Sequence, residues 1–306
     1  IMTDSTYPIG TPGTKWNDSD KAQWLAGQVI KRSYQDEVLT LINELKGTLT
    51  VEQYGELNYN DGCYPLYALQ TPNFDDAKPT VLITGGVHGY ETSGVHGALR
   101  FAKTSALNHS HHFNIVIAPC ISPWGYETIN RWNPNAIDPN RSFYENSPAH
   151  ESAAVMAYVK SLNIDLLAHI DLHETTDSDN SEFRPALAAR EGTTNTNWNI
   201  PDGFYLVADS TKPEPEFQKV IIEGVAKVTH IAPSDENNAL IGVPQEQFGV
   251  INYAARKLGL CMGFTDAPFV TTTEVYPDSP SANSEQCILA QVAVIDSALN
   301  YLRNEG

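Results

Sequence analysis

The run Thr80-Val81-Leu82-Ile83-Thr84 constrains this chain more than any other stretch. It is short, rich in β-branched residues and not alternating, the pattern of a strand buried on both faces. Gly85-Gly86 breaks it, and Val95, Leu99 and Ala102 then recur at helical spacing. The same alternation continues. Residues 113–118 read as a second buried strand ended by Pro119, and 153–162 as a helix. Residues 164–172 and 204–208 read as further strands, 217–229 as a helix and 269–275 as a late strand. Ile288, Val292, Ile295, Leu299 and Leu302 keep helical spacing to the end. Buried strands alternating with helices predict an α/β sheet covered on both faces.

Residues 1–16, rich in Thr, Pro and Gly, are expected to wrap the surface, and 19–45 to form a helix with Gly47 as its C-cap. Residues 48–54 and 64–69 alternate like a strand pair, with Asn60-Asp61-Gly62 as the turn. No internal repeat or Pro/Gly/Ser linker divides the chain. One domain is predicted, with residues 1–75 as an elaboration on a core of 76–306.

Charge narrows the partners. Lys and Arg number 19 against 37 Asp and Glu, a formal net charge of −18. Nucleic acid and anionic membrane both call for a net basic face, so neither is expected as a partner. No stretch approaches the ~20 apolar residues of a membrane span. The start, Ile1-Met2-Thr3-Asp4, lacks the basic-then-apolar order of a secretory signal. Cys63, Cys120, Cys261 and Cys287 lie far apart and form no CxxC pair, which argues against a thiolate zinc site and a disulfide framework. A cytoplasmic location is the expectation.

In open sheets of this kind sites form beyond the strand ends. His88 and Glu91, three apart after the strand 80–84, can face one point. His173 follows the strand 164–172 in Asp171-Leu172-His173. A His/Glu/His set suits catalytic zinc, with the fourth position left to water. His169 lies four before His173, which along a strand is ~13 Å, too far to share an ion. It is read as a core residue or a support for a ligand, and Asp171 as a group that could orient an imidazole. His96 is read as packing or surface, and His109, His111 and His112 as a surface loop. Gly85-Gly86 could open a phosphate loop, but no Lys-Ser/Thr follows it.

Between the ligand segments, the Asn/Pro-rich loop 130–143 carries Arg131, Asn140 and Arg141. A guanidinium fork suits a carboxylate, and Asn140 adds donors. Equally, such a loop could be pinned by Arg–Asp pairs through Asp138.

His88-Gly89-Tyr90-Glu91, Asp138-Pro139-Asn140-Arg141-Ser142-Phe143 and Asp171-Leu172-His173 together resemble the zinc carboxypeptidase family of the pancreatic carboxypeptidases. Its relatives include murein-peptide amidases and the succinylglutamate desuccinylase/aspartoacylase deacylases. The resemblance spans about Thr80 to Val275 and implies a mixed, largely parallel twisted sheet with helices on both faces. It implies one Zn²⁺ held by His88, Glu91 and His173. It implies Asn140 and Arg141 clamping a substrate carboxylate, Arg131 polarising the scissile carbonyl and Glu274 as general base, with Asp266 the competitor for that role. Ile251, Asn252 and Asp266 are the side-chain specificity candidates. Pro139 departs from the apolar residue usual before Asn-Arg, and residues 245–248 occupy the place of the family's mobile tyrosine.

The expected activity is therefore zinc-assisted removal of C-terminal residues from peptides. The alternative is an amidase or deacylase acting on murein peptides or N-acyl amino acids, and either way the substrate carries a free carboxylate. A non-catalytic metal-stabilised binding protein would lack the late glutamate. An acidic shell around a few arginines tilts the expected substrate toward basic or neutral C-termini.

Overall fold

The computed structural model describes residues 6–59 and 62–305. Asn60 and Asp61 of the predicted turn, and the first residues of the chain, lie outside the described residues. The strands are β1 (Thr50–Tyr59), β2 (Gly62–Gln70), β3 (Thr80–Gly85), β4 (Asn114–Ala118), β5 (Leu166–Leu172), β6 (Tyr205–Asp209), β7 (Ala239–Leu240), β8 (Val243–Pro244), β9 (Val250–Tyr253) and β10 (Phe269–Glu274). The helices are α1 (Asp18–Ala26), α2 (Thr40–Glu44), α3 (Thr92–Thr104), α4 (Ala106–His109), α5 (Pro123–Thr128), α6 (His150–Leu162), α7 (Arg184–Glu191), α8 (Pro215–Val225) and α9 (Ser284–Glu305).

Eight strands form one sheet in the order β1-β2-β4-β3-β5-β10-β6-β9. β4, β3, β5 and β10 run parallel as a central block. β2 joins β4 antiparallel and carries β1 antiparallel at one edge. β6 is antiparallel to β10, and β9 parallel to β6, at the other. The sheet is mixed and mostly parallel, so the fold is α/β.

Side-chain alternation sorts the central strands onto two faces. Val81, Ile83, Ile115, Ile117 and Ile170 pack in one core with Val95 and Leu99 of α3, Ile221 of α8 and Ile295 of α9. Leu82 and Val116 pack on the opposite face with Tyr158 of α6. On β5 the same alternation sends Ala168, Ile170 and Leu172 to the first core, which leaves His169 and Asp171 on the α6 face. Trp16, Trp24, Tyr34 and Val38 from the first 75 residues share the core of Val81 and Ile83.

The single helix expected over 19–45 is two. α1 ends at Gly27, and the backbone N–H groups of Lys31 and Arg32 donate to Glu127 O at 2.8 and 3.3 Å. Donors spent on that distant carbonyl cannot close a helical ladder. A π-helical turn, Gln35–Leu39, leads into α2, and the cap is Leu45 rather than Gly47. His109 is not in a surface loop: it ends α4, stacks on Phe101 and lies 2.9 Å from Asp296. Among the described residues no helix is long and apolar enough to cross a membrane.

Candidate metal centre

The turn after β3 is built to present His88. Gly86 takes φ +62°, a conformation that costs an L side chain strain. A Cβ on Gly89 would lie 2.0 Å from Ser122 O and 2.2 Å from Tyr126 N, so no side chain fits there. Ser122 pins the turn through its hydroxyl to Val87 O at 2.6 Å and its N–H to Gly86 O at 2.8 Å. Arg32 clasps the other side, donating to Gly89 O, to Thr92 Oγ1 and to Tyr126 O at 2.6 Å, with its guanidinium over the Tyr126 ring. The Glu91 N–H closes on His88 O, which sets Glu91 at the entry to α3.

His173 follows directly on β5. Its N–H donates to Thr273 Oγ1 at 2.9 Å, and its carbonyl accepts from Gln291 of α9. His88 Nδ1 lies 2.7 Å from Glu91 Oε2, and His173 Nδ1 lies 3.0 Å from Glu91 Oε1. Three ligand-capable groups thus converge, with one donor atom from each within 4.8 Å of the others. All three residues are buried.

Each imidazole is held from behind by a carboxylate. His88 Nε2 lies 2.7 Å from Asp138 Oδ1, and His173 Nε2 lies 2.6 Å from Asp171 Oδ2. Carboxylates only accept, so each Nε2 gives a proton to its backing carboxylate, which leaves Nδ1, the atom turned to Glu91, as the one that would give a lone pair to an ion bound there. This donor set and its backing fit a divalent cation of the zinc type. The electrostatics agree. Burial opposes charge on Glu91, yet His88 and His173 hold its carboxyl well below the usual range. Burial likewise opposes charge on Asp138, and His88 with Arg131 holds it well below. His173 is raised well above an ordinary imidazole, against its burial, by Asp171 and Glu91. A nest of buried carboxylates that gathers positive charge in this way suits a cation.

Glu274 ends β10. The parallel register pairs Thr272 with Asp171, so two residues on Glu274 stands beside His173 on the same face. Its Oε2 accepts from Thr175 Oγ1 at 2.9 Å. Burial and the charge of Glu91 push its pKa up to about 8. Arg131 donates Nε to Asp138 Oδ2 at 3.1 Å and brings Nη1 within 3.9 Å of Asp179. Asn140 is buried, and its Oδ1 accepts the Cys261 N–H at 2.8 Å, while its amide NH₂ makes no hydrogen bond among the described residues. Arg141 is exposed and spends Nη1 on Asn140 O at 2.9 Å.

The remaining positions lie apart from this cluster. Ile251 is fully buried in a separate apolar cluster with Tyr205 and Val207. Asn252 lies beside it on β9, half-buried. Asp266 is turned to solvent, where it pairs with Arg256 at 2.7 Å. His96 lies 2.9 Å from Tyr126 OH. Two contributors carry no periodic signal in sequence: Asp138 as the partner of His88, and Arg32 as the clasp of the ligand turn. The Asp two residues before His173 was the one readable sign of such backing.

Residues 77–197 match the family described as succinylglutamate desuccinylase/aspartoacylase catalytic domain. No curated protein sequence matches the chain. Solved structures do. A protein of Shewanella amazonensis described as a metallopeptidase aligns with TM-score 0.65 at 20% identity, covering 90% of this chain and 98% of that one. A metallo-carboxypeptidase of Burkholderia cenocepacia aligns with TM-score 0.57 at 16% identity, over 95% and 70%. A metallo-carboxypeptidase of Pseudomonas aeruginosa, in complex with (2-guanidinoethylmercapto)succinic acid, aligns with TM-score 0.59 at 14% identity, over 88% and 68%. The fold is the carboxypeptidase-like α/β fold. The resemblance to the zinc carboxypeptidases and their deacylase relatives, seen first in the motifs, holds at the level of family match and fold.

Proposed function

We propose that the chain is a zinc-dependent hydrolase that cleaves an amide bond near a free carboxylate, and most specifically a metallocarboxypeptidase. The observation that carries this reading is the convergence of His88 Nδ1, His173 Nδ1 and the Glu91 carboxylate beside Glu274. Zinc in such a set supplies a water of pKa about 7 and polarises a carbonyl.

Glu274 takes a proton from the attacking water and returns it to the leaving amine. Its raised pKa keeps it able to hold that proton between the two transfers, and a bound dication nearby lowers the value toward working pH. Arg131, tethered by Asp138, offers its remaining donors to the developing oxyanion. Arg141 and the Asn140 amide hold the substrate carboxylate, which converts binding into orientation.

A second reading, deacylation of N-acyl amino acids, is favoured by the match of residues 77–197 to the deacylase family. The same residues serve it unchanged. The discriminating experiment is a panel of C-terminal dipeptides against N-acyl amino acids, with and without chelator. The Glu274→Gln variant is expected to keep zinc and lose at least about 10²-fold in kcat. A near-native rate in that variant removes Glu274 from the mechanism. Equal rates on free and amidated C-termini remove the carboxylate clamp.

A further inference from the structure

We propose that Thr84 and His169 are positioning residues for the ligand His173: a hydrogen-bonded chain from His169 through Thr84 fixes Asp171, and Asp171 fixes His173. The proposal rests on the metal-centre reading above.

Four fully or almost fully buried residues make the chain: His169, Thr84 and Asp171 at 0% exposure and His173 at 1%. Sheet register explains why they meet. β3 pairs with β5 so that Leu82 stands opposite His169 and Thr84 opposite Asp171. His169, Asp171 and His173 follow at every second position, so all three leave β5 on the same face.

The protons can be assigned from chemistry. Thr84 Oγ1 lies 2.7 Å from Asp171 Oδ1 and 2.9 Å from His169 Nε2. A hydroxyl has one proton, and the carboxylate can only accept, so the Thr84 proton goes to Asp171. The Thr84 oxygen then accepts, and His169 must donate Nε2–H. The other oxygen of Asp171 receives His173 Nε2–H at 2.6 Å. Every link points the same way: His169 to Thr84, Thr84 to Asp171, with His173 delivering its proton to the same carboxylate and facing the metal cluster with Nδ1.

Two further observations support this assignment. His169 Nδ1 is buried with no hydrogen-bond partner among the described residues. That is what a neutral Nε2–H imidazole leaves behind, and a buried orphan lone pair costs free energy that some other gain must offset. Burial also lowers the pKa of His169 to about 4, so the ring is neutral at neutral pH.

His169, Asp171 and Cys261 also lie close enough to suggest a second ion. The hydroxyl of Thr84 argues against it. It sits between them, 2.9 Å from His169, 2.7 Å from Asp171 and 3.7 Å from Cys261 Sγ. Burial, reinforced by Asp171, raises the Cys261 thiol well above its ordinary pKa, so it is a protonated thiol and a poor ligand. The cluster is a hydrogen-bonded hub centred on Thr84.

The test measures zinc affinity by chelator competition for the wild type, Thr84→Val and Thr84→Ser, alongside thermal melts of the metal-free proteins. Thr84→Val keeps the volume and removes the link, and is expected to weaken zinc binding about tenfold. Thr84→Ser restores the hydroxyl and should recover most of that loss. A Thr84→Val protein that melts as a folded protein and binds zinc as the wild type does overturns the proposal. If that variant does not fold, nitrogen NMR of the wild-type imidazoles decides. His169 protonated at Nε2 alone supports the chain, and a proton on Nδ1 overturns it. A wild type that binds no zinc at all overturns the metal-centre reading and this proposal with it. Equal affinities overturn only the proposal.

Discussion

Asp138 Oδ1 lies 2.7 Å from His88 Nε2, while Asp138 Oδ2 accepts Arg131 Nε at 3.1 Å. One buried carboxylate therefore orients a candidate ligand and a candidate oxyanion donor together. Removing it should damage both functions. Asp138→Ala is expected to weaken zinc binding about 10- to 100-fold. Arg131→Ala should instead leave zinc affinity near wild type and lower kcat about 10²- to 10³-fold. Chelator competition and steady-state kinetics on the two variants separate the effects. Undiminished zinc affinity in Asp138→Ala would show that His88 needs no backing.

Arg32 gives the N-terminal segment a role at the site. It donates to Gly89 O, Thr92 Oγ1 and Tyr126 O and covers the Tyr126 ring at 3.6 Å. Arg32→Ala leaves those acceptors unpaired and should cost about 2 kcal/mol of stability. Urea unfolding of the metal-free protein measures that loss. Because the clasped turn carries His88, zinc affinity should fall as well, and a loss of stability with no change in zinc affinity would confine Arg32 to packing.

What could be read from sequence follows from period and proximity. The run Val81–Ile83 is legible because a strand buried on both faces leaves no polar residue among its apolar ones. His88 and Glu91 are legible because a ligand pair within one turn needs only local geometry. Asp138 lies fifty residues from His88 in a loop with no period, so nothing local marks it as a partner. The break after α1 is hidden for a similar reason: it depends on Glu127 O, a carbonyl that only the tertiary fold brings to Lys31. The short strand β9 and helix α7 are too brief to establish a periodicity. His169 shows the limit most clearly. Its spacing ruled out an ion shared with His173, but its bond to Thr84 depends on the register of β3 against β5.

His169 also predicts how the metal-free protein responds to acid. Burial lowers its pKa to about 4 in the folded state, against about 6.5 when unfolded. Between those values the unfolded chain binds the extra proton, so stability rises with pH across that window and falls on acidification. The contribution lost between pH 7 and pH 5 is about 2 kcal/mol. A His169→Gln variant lacks the titration and should show a correspondingly shallower decline in that interval. Parallel pH profiles for the two proteins, measured by urea unfolding without metal, would contradict a neutral buried His169.

Substrate charge sets the long-range field against a local one. The chain carries −18 overall, which favours basic substrates at long range. Beside Arg141, however, a cavity of about 390 Å³ is lined by Lys15, Lys21 and Arg190, with Asp138 and Glu191 as the acids. Both acids are already paired: Glu191 with Arg190 and Lys15, and Asp138 with Arg131 and His88. Among the described residues Lys21 and Arg141 have no ion pair, so this cavity is locally positive. At physiological salt charges further apart than about 8 Å are largely screened, and the local term should win. Substrates with an extra carboxylate, such as Glu-ended peptides or N-acyl glutamate, are therefore expected to exceed their Lys analogues in kcat/KM at that salt. Lowering the salt should erode the preference as the net negative field reaches further. Lys21→Ala should weaken it through KM with little change in kcat. A preference for Lys-ended substrates at physiological salt, unchanged in Lys21→Ala, would show that the overall field governs selection and that the cavity takes no part.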